Sequence, residues 1–153
     1  MKLLILNGPN LNLLGLREPE LYGTQDYAAL ERCLRETADA LGCTIDVRQT
    51  NHEGVLVDWI QEAFGRFDGI IINPAAYTHT SIAVADALRA VALPAVEVHL
   101  TDITAREPYR RISYTAPACC ASFVGQGFRG YALAMELLVK KIGNPGGASP
   151  SKA

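Results

Sequence analysis

The stretch Gly-Ile-Ile-Ile-Asn-Pro-Ala-Ala-Tyr-Thr-His-Thr-Ser, residues 69–81, passes directly from a wholly apolar run to a polar segment. A uniformly apolar run is typical of a central strand in a parallel sheet, because both of its faces are covered. The polar side chains begin at Asn73, where this strand ends. Since ligands of open parallel sheets bind at the carboxyl ends of the strands, the stretch predicts a buried strand with a binding site beside it.

A second segment, residues 95–102, has the same organisation. Its strand places Glu97 and His99 on one face, and the chain then breaks at Leu100, Thr101 and Asp102. A carboxylate on the same face can orient the His99 imidazole and keep it basic, which suits a general acid. The alternative is a core histidine paired with a buried glutamate.

Strands and helices alternate along the chain. We predict strands at residues 3–6, 43–49, 69–72, 95–100 and 118–124, and helices at 25–41, 53–64, 82–91 and 128–142, the first of them capped by Thr24 and ended by Gly42. The second strand alternates apolar and polar residues, as a sheet edge tolerates. The pattern predicts an α/β fold, a flavodoxin-like doubly wound five-stranded parallel sheet in the order 2-1-3-4-5.

Composition favours one compact domain with a small partner. The chain has 153 residues, of which 49% are hydrophobic, and a net charge of -2. We expect a single catalytic domain at residues 1–143 and a disordered tail at 144–153. The charge argues against nucleic acid or a membrane surface as partner, and the short apolar start argues against a signal peptide, so a cytoplasmic location is expected. The four cysteines are interpreted as reduced thiols.

Residues 125–130, Gly-Gln-Gly-Phe-Arg-Gly, match the G-x-G-x-x-G pattern of dinucleotide-binding proteins. That function also needs a further strand and an acidic residue about 20 positions on, and here the chain is ending. A structural role in a tight turn and close helix packing is therefore favoured. The absence of a phosphate-binding loop likewise disfavours a flavodoxin-like binding module.

Two other kinds of site are weakly supported. A hydrolase built on Ser81, His79 and Asp86 would place its serine at a helix start without the strained turn that such enzymes use. The spacing of the three histidines, His52, His79 and His99, is not that of a metal site. The sequence predicts no metal and no cofactor.

The connection after the first strand, residues 7–23, is far longer than the ~2 to 6 residues usual between a strand and a helix, and loops of this length are commonly lids. Gly15 and Gly23 would be its hinges. An arginine such as Arg17 near the phenol of Tyr22 would stabilise a phenolate and so favour a general base. The alternative is a lid aromatic that packs on the domain beside a solvated arginine.

Four long motifs in order carry a resemblance to a known family. They lie at residues 6–23 (Leu-Asn-Gly-Pro-Asn-Leu through Tyr-Gly), 49–54 (Gln-Thr-Asn-His-Glu-Gly), 73–81 and 97–100 (Glu-Val-His-Leu). Together they resemble type II 3-dehydroquinate dehydratase over residues 2–142. The resemblance implies elimination of water from 3-dehydroquinate through an enolate, without a cofactor, in the shikimate pathway of aromatic amino acid biosynthesis. Quinate breakdown, which uses the same reaction, remains the alternative.

The resemblance also implies a role for each site residue. Tyr22 would remove the C2 proton, Arg17 would support the phenolate and the enolate, and His99 would protonate the departing C1 hydroxyl. Ring hydroxyls would contact Asn73, His79 and Arg110, and the substrate carboxylate the backbone amides of Leu100 and Thr101. Asn10 and Glu97 would position the catalytic groups, and Asp86 would reach a neighbouring subunit's site in a homododecamer, a tetramer of trimers.

The sequence departs from the family pattern at three positions. Ala75 stands where glycine is usual, Thr101 where serine is common, and Asp102 where asparagine is common. Thr101 retains its backbone N–H, whereas Asp102 adds a negative charge near an anionic substrate and so puts affinity in doubt. His52 is interpreted as a structural residue whose side chain bonds to a helix turn. Arg106 and Arg111 are interpreted as solvated charges beside Arg110.

Overall fold

The computed structural model describes residues 1–16 and 25–144. Five strands form one parallel sheet: β1 Lys2–Asn7, β2 Thr44–Gln49, β3 Gly69–Asn73, β4 Ala95–His99 and β5 Ala121–Val124. Their order is β2-β1-β3-β4-β5, which confirms the predicted fold class. The apolar strand β3 is central and buried along its whole length, and the alternating strand β2 lies at an edge.

Four α-helices cover the two faces of this sheet: α1 Tyr27–Leu41, α2 Glu53–Glu62, α3 Ile82–Val91 and α4 Arg129–Gly143. One apolar cluster joins the sheet to α1 and α4, and the other joins it to α2 and α3. Each strand therefore contributes alternate side chains to two different cores. This burial on both faces explains why the central strands are apolar throughout.

Several element boundaries differ from the predicted ones. Helix α1 is capped by Asp26, whose carboxylate accepts a hydrogen bond from the Ala29 N–H at 2.7 Å, whereas Thr24 lies outside the described residues. Helix α2 ends at Glu62, short of the predicted 64. Strand β5 begins at Ala121, because residues 116–118 form a 3-10 turn that contains a proline, which has no N–H for a strand ladder.

The glycine-rich segment after β5 has the structural role that we predicted. The Gly125 N–H donates to the His99 carbonyl and the Gly127 N–H donates to the Leu100 carbonyl, each at 3.0 Å. A Cβ atom on Gly130 would lie 3.2 Å from Val98 Cγ1, so glycine lets α4 approach the sheet closely. These turns hold the end of β4 at the carboxyl edge of the sheet.

Within residues 1–16 and 25–144, no helix is long and apolar enough to cross a membrane. The predicted tail comprises residues 144–153, and all of it except Asn144 lies outside the described part of the chain.

Candidate active site

A cavity of about 170 Å³ opens at the carboxyl edge of the sheet, where β1, β3 and β4 end. The size suits a small molecule, since pockets for drug-sized ligands usually run from about 300 Å³ upward. Its walls come from the loop after β1, the 3-10 turn after β3 and the connection after β4. The lining residues are Pro9, Asn10, Leu11, Leu13, Leu14, Asn73, Ala75, Ala76, His79, His99, Leu100, Thr101, Ile103, Arg106 and Arg110.

The structure brings together most of the side chains that the sequence analysis selected. Seven line the cavity, namely Asn10, Asn73, His79, His99, Leu100, Thr101 and Arg110. Glu97 lies behind His99, fully buried. Arg17 and Tyr22, the predicted catalytic pair of the lid, lie outside the described residues.

His99 and Glu97 form a buried pair at the end of β4. His99 Nε2 lies 2.7 Å from Glu97 Oε1, and the two side chains are 6% and 0% exposed. Because a carboxylate accepts hydrogen bonds, Nε2 carries the proton in this contact, and Nδ1 is the other ring nitrogen. Protonation at Nδ1 would convert His99 to an imidazolium that Glu97 stabilises.

Three hydroxyl groups complete the surroundings of Glu97. Thr115 donates to Oε1 at 2.7 Å, Ser113 donates at 3.0 Å, and Thr78 donates as well. Burial alone would raise the pKa of the Glu97 carboxyl, but the hydrogen bond and charge of His99, together with the threonine hydroxyls, hold that pKa below its ordinary value. Glu97 is therefore an anion at neutral pH, although it is buried.

His79 is a neutral hydrogen-bond acceptor that also lines the cavity. Its Nδ1 lies 2.7 Å from the Ile112 carbonyl, which can only accept, so Nδ1 carries the proton. Burial, with the nearby charges of His99 and Arg110, lowers the pKa of His79 below its ordinary value. The ring stacks on His99 at 6.5 Å between centroids and presents Nε2 as an acceptor.

Asn10 is held in an unusual backbone conformation at the cavity mouth. Its φ of 67° lies in the left-handed region, which asparagine tolerates better than most residues. The Asn10 N–H donates to Asn51 Oδ1 at 3.0 Å, and Gln49 Nε2 also donates to Asn51 Oδ1, at 3.0 Å. The ends of β1 and β2 thus fix this loop beside the cavity.

Two guanidinium groups face the cavity from the connection after β4. Arg110 Nε is buried and has no partner in hydrogen-bond geometry among the described residues, although Glu107 Oε2 lies 3.3 Å away. Arg106, 14% exposed, is paired with the same carboxylate at 3.4 Å. Arg106 is thus a mostly buried part of the cavity wall, and the prediction that it is a solvated charge is wrong.

The departures from the family pattern have local explanations. Ala75 has a φ of 50°, in the region that favours glycine. The carboxylate of Asp102 accepts from the N–H and the hydroxyl of Thr104 at 2.8 and 2.7 Å, and these bonds hold its pKa below the ordinary value. The side chain caps a turn and is absent from the cavity lining.

Two further predictions concern residues away from the cavity. His52 starts α2 as predicted, but its side chain makes no capping hydrogen bond, and its N–H instead donates to Thr50 Oγ1 at 3.1 Å. The prediction of a hydrogen bond from the His52 side chain is wrong, because the Thr50 hydroxyl already closes that turn. Asp86 lies on α3, 66% exposed, and pairs with Arg89 at 3.0 Å. It does not line the cavity of its own chain.

Sequence reasoning missed the buried and half-buried polar side chains behind the cavity wall. They are Asn7, Tyr27, Thr78, Ser113, Thr115 and Tyr131. Asn7 could have been found, since it is polar where an apolar strand ends. The hydroxyls of residues 113 and 115 come from an irregular connection and the phenol of residue 131 from a helix, and their local sequence does not distinguish them from surface or core positions.

In the part of the chain that the structure describes, no group of three or more histidine, cysteine, aspartate or glutamate side chains has the arrangement of a metal site. The four cysteines are free thiols in that same part.

Comparison with known proteins agrees with this geometry. Residues 1–139 match the family model Dehydroquinase class II. A 3-dehydroquinate dehydratase of Rhodopseudomonas palustris is 54% identical over 140 residues, covering 91% of this chain and 93% of that protein. The catabolic 3-dehydroquinase 1 of Aspergillus terreus is 50% identical and covers 88% of each chain.

The fold is shared with solved structures. A crystal structure of type II dehydroquinase from Butyrivibrio crossotus superposes with a TM-score of 0.88 at 45% identity, covering 90% of this chain and 97% of the other. The residues that match the family model, 1–139, include Glu97 and His99 of β4. The chain therefore belongs to the class II dehydroquinase family.

Proposed function

We propose that this protein eliminates water from 3-dehydroquinate to give 3-dehydroshikimate through an enolate intermediate. The observation that carries the proposal is the buried His99–Glu97 pair at the wall of a small cavity that Arg110 also lines, in a chain of this family. A protonated imidazole held by a buried carboxylate is suited to deliver a proton to a leaving hydroxyl.

The reaction has two bond-breaking steps. Tyr22, as phenolate, removes the proton from C2, and the electron pair of that C–H bond moves into an enolate on the C3 carbonyl oxygen. The enolate then expels the C1 hydroxyl, which takes a proton from His99 and leaves as water. Arg17 supports the phenolate and the enolate, and the Glu97 carboxylate stabilises the His99 imidazolium beforehand.

The remaining site residues bind the substrate in this proposal. The backbone amides of Leu100 and Thr101 hold the carboxylate where β4 ends. Asn73, neutral His79 and Arg110 contact the ring hydroxyls. Asn10, fixed by Asn51, positions the catalytic groups from the cavity mouth.

An enolate is favoured over an imine, because an imine needs a lysine amine and no lysine among the described residues lines the cavity. Lys2 starts β1 at the opposite edge of the sheet, and Lys140 and Lys141 lie in the last turn of α4. Lys152 is in the tail, beyond the described residues. Borohydride added with substrate is therefore expected to leave activity and protein mass unchanged, and chelators are expected not to inhibit.

Three wider features belong to the proposal. Asp86 serves a neighbouring subunit's site in a homododecamer, a tetramer of trimers. The protein is cytoplasmic, and it acts in the shikimate pathway. The pathway is tested by deleting the gene. A biosynthetic role predicts that the deletion strain requires aromatic amino acids, and a catabolic role predicts that it fails to grow on quinate. Failure to grow on quinate without aromatic auxotrophy would reject the biosynthetic role.

The base is tested by replacing Tyr22 with phenylalanine, which keeps the ring and removes the ionisable group. We expect turnover, followed by the ultraviolet absorbance of the enone product, to fall by roughly 10²- to 10⁴-fold while the circular dichroism spectrum is unchanged. Tyr114→Phe, at an exposed tyrosine, is the matched control and should keep wild-type turnover. Enone formation by Tyr22→Phe at the wild-type rate would reject the base, and no enone from the wild type would reject the activity.

A further inference from the structure

A buried hydrogen-bond chain connects helix α4 to the cavity wall. Tyr131, in the first turn of α4, is 0% exposed, and its hydroxyl donates to Asn7 Oδ1 at 2.6 Å. The same hydroxyl accepts from Asn73 Nδ2 at 3.1 Å. Asn7 and Asn73 stand opposite each other at the carboxyl ends of β1 and β3. Of these residues, Asn73 lines the cavity.

The directions of these hydrogen bonds are fixed at both ends. The Ala75 N–H donates to Asn73 Oδ1 at 3.1 Å, so the oxygen of that carboxamide is on the Ala75 side and the nitrogen is on the Tyr131 side. Burial raises the pKa of the Tyr131 phenol, which therefore keeps its proton for Asn7. At the outer end, Asn7 Nδ2 donates to the Tyr27 hydroxyl at 3.2 Å.

One N–H of Asn73 remains for a ligand. A carboxamide nitrogen carries two protons, and one of them is donated in the hydrogen bond to the Tyr131 hydroxyl. Because both ends of the amide are held, the second proton has a fixed direction before any ligand arrives. A preorganised donor of this kind binds more tightly than one that must be oriented on binding, since the ordering cost has been met on folding.

We propose that Tyr131 is a positioning residue for substrate binding, which acts through Asn73 and does not touch the substrate itself. It holds the Asn73 carboxamide so that the second Nδ2 proton is directed at a hydroxyl oxygen of the substrate. The inference rests on the proposed function, because that function names the ligand. Gly130 allows α4 to approach the sheet within contact distance of Val98, and this close approach brings the Tyr131 hydroxyl within hydrogen-bond distance of Asn73.

The variant Tyr131→Phe keeps the ring and its packing and removes the hydroxyl. If Tyr131 positions Asn73 for binding, KM for 3-dehydroquinate rises roughly three- to tenfold and kcat stays within about twofold, which is the pattern of a contact made equally in the ground state and the transition state. A purely structural tyrosine would lower the melting temperature and the active fraction while KM stayed at the wild-type value. Tyr114→Phe is the matched control, with KM and kcat expected to be unchanged.

A double-mutant cycle separates action through Asn73 from a direct effect. Asn73→Ala removes the contact that Tyr131 is proposed to position, so KM of the double variant should equal that of Asn73→Ala alone. Independent multiplication of the two KM effects would overturn the proposal, as would an unchanged KM in Tyr131→Phe.

A measurement without turnover distinguishes failure of this inference from failure of the proposed function. In ¹H–¹⁵N spectra, the side-chain amide protons of Asn73 are expected to shift and exchange faster in Tyr131→Phe and to stay in place in Tyr114→Phe. Unshifted Asn73 amide signals would overturn the inference even in an active enzyme, whereas shifted signals in a protein without dehydratase activity would reject the function alone.

If Tyr131→Phe does not fold, Asn7→Ala provides the second variant. It removes the acceptor of the Tyr131 proton, which is then free to turn toward Asn73 and oppose its N–H. KM is again expected to rise, with no further effect in an Asn73→Ala background, and an unchanged KM in Asn7→Ala would overturn the proposal.

Discussion

At the scale of single residues, the site depends on how a buried carboxylate is kept charged. Glu97 is completely removed from solvent, and a buried anion is costly unless it is paired and hydrogen-bonded. His99 supplies the pairing, and the hydroxyls of Thr78, Ser113 and Thr115 supply the remaining bonds. The three hydroxyl residues are therefore part of the acid machinery, although none of them lines the cavity.

Two threonines offer a matched test of this view. Thr115 and Thr104 each donate a hydroxyl hydrogen bond of 2.7 Å to a carboxylate, but the acceptor is buried Glu97 in one case and exposed Asp102 in the other. Thr115→Val is expected to lower the free energy of unfolding by about 1.5 to 3 kcal/mol at pH 7. Thr104→Val is expected to leave it within measurement error, because water replaces the lost donor. Chemical denaturation of both variants measures this, and equal losses would contradict the role of burial.

The same pair predicts a pH dependence. The folded-state pKa of Glu97 is lowered, so its contribution to stability is present above the unfolded pKa of about 4.3 and is lost as the pH falls through the folded value. Thr115→Val removes a bond to the ionised form, and its destabilisation should therefore shrink below about pH 4. Denaturation curves between pH 3 and pH 7, roughly spanning this titration, test the sign. A destabilisation that grows on acidification would show that the bond favours the protonated form.

At the scale of secondary structure, glycine positions decide how closely the helices approach the sheet. Gly130 of α4 is buried against β4, where an added Cβ would lie 3.2 Å from Val98 Cγ1. Gly54, in the first turn of α2, has no atom within 4 Å of an added Cβ. Both have ordinary negative φ values, so the surrounding space distinguishes them.

Alanine at these two positions should therefore have opposite effects. Gly54→Ala is expected to stabilise the protein by up to about 1 kcal/mol, because alanine loses less conformational freedom in a helix. Gly130→Ala is expected to destabilise it by about 1 to 3 kcal/mol through overpacking. It should also raise KM, since displacement of α4 moves Tyr131 away from Asn73. Thermal unfolding with parallel kinetics checks both, and a stabilising Gly130→Ala would contradict the close packing.

Helix and strand assignments from the sequence were largely right in kind and less accurate in their boundaries. The apolar runs of β1 and β3 and the helical spacing of α1 and α4 reflect burial, which the side chains themselves encode. The start of β5 was wrong because a proline turn precedes the strand. The start of α1 was wrong because Asp26 competes for the cap position that Thr24 was given.

At the scale of the whole molecule, the proposed use of Asp86 requires a second subunit. Asp86 is exposed on α3, outside the cavity of its own chain, and exposed Ile82 lies one helical turn before it. Mixing two inactive variants tests the arrangement. The Asp86→Ala subunit retains Tyr22, and the Tyr22→Phe subunit retains Asp86. In a co-assembly of the two, a site that combines these retained residues is complete.

Such mixed oligomers are expected to recover turnover in about a quarter of their sites after random assembly, whereas each variant alone stays inactive. Sedimentation of the same samples should show one large closed species. Asp58→Asn, at an exposed helical carboxylate, is the control and should change neither assembly nor turnover. Mixtures without recovered activity, or fully active monomers, would reject a shared site.

The sequence by itself determined the fold class and the strand order, because these follow from the period of apolar residues and the alternation of strands and helices. It also identified seven of the fifteen cavity-lining residues, through the polar residues at parallel strand ends and the family resemblance. Only the tertiary structure decided what surrounds those residues. The contacts of Tyr131 with Asn7 and of Thr115 with Glu97 join residues 124 and 18 positions apart. Local patterns do not encode such contacts, because they depend on how closely each helix and connection packs on the sheet.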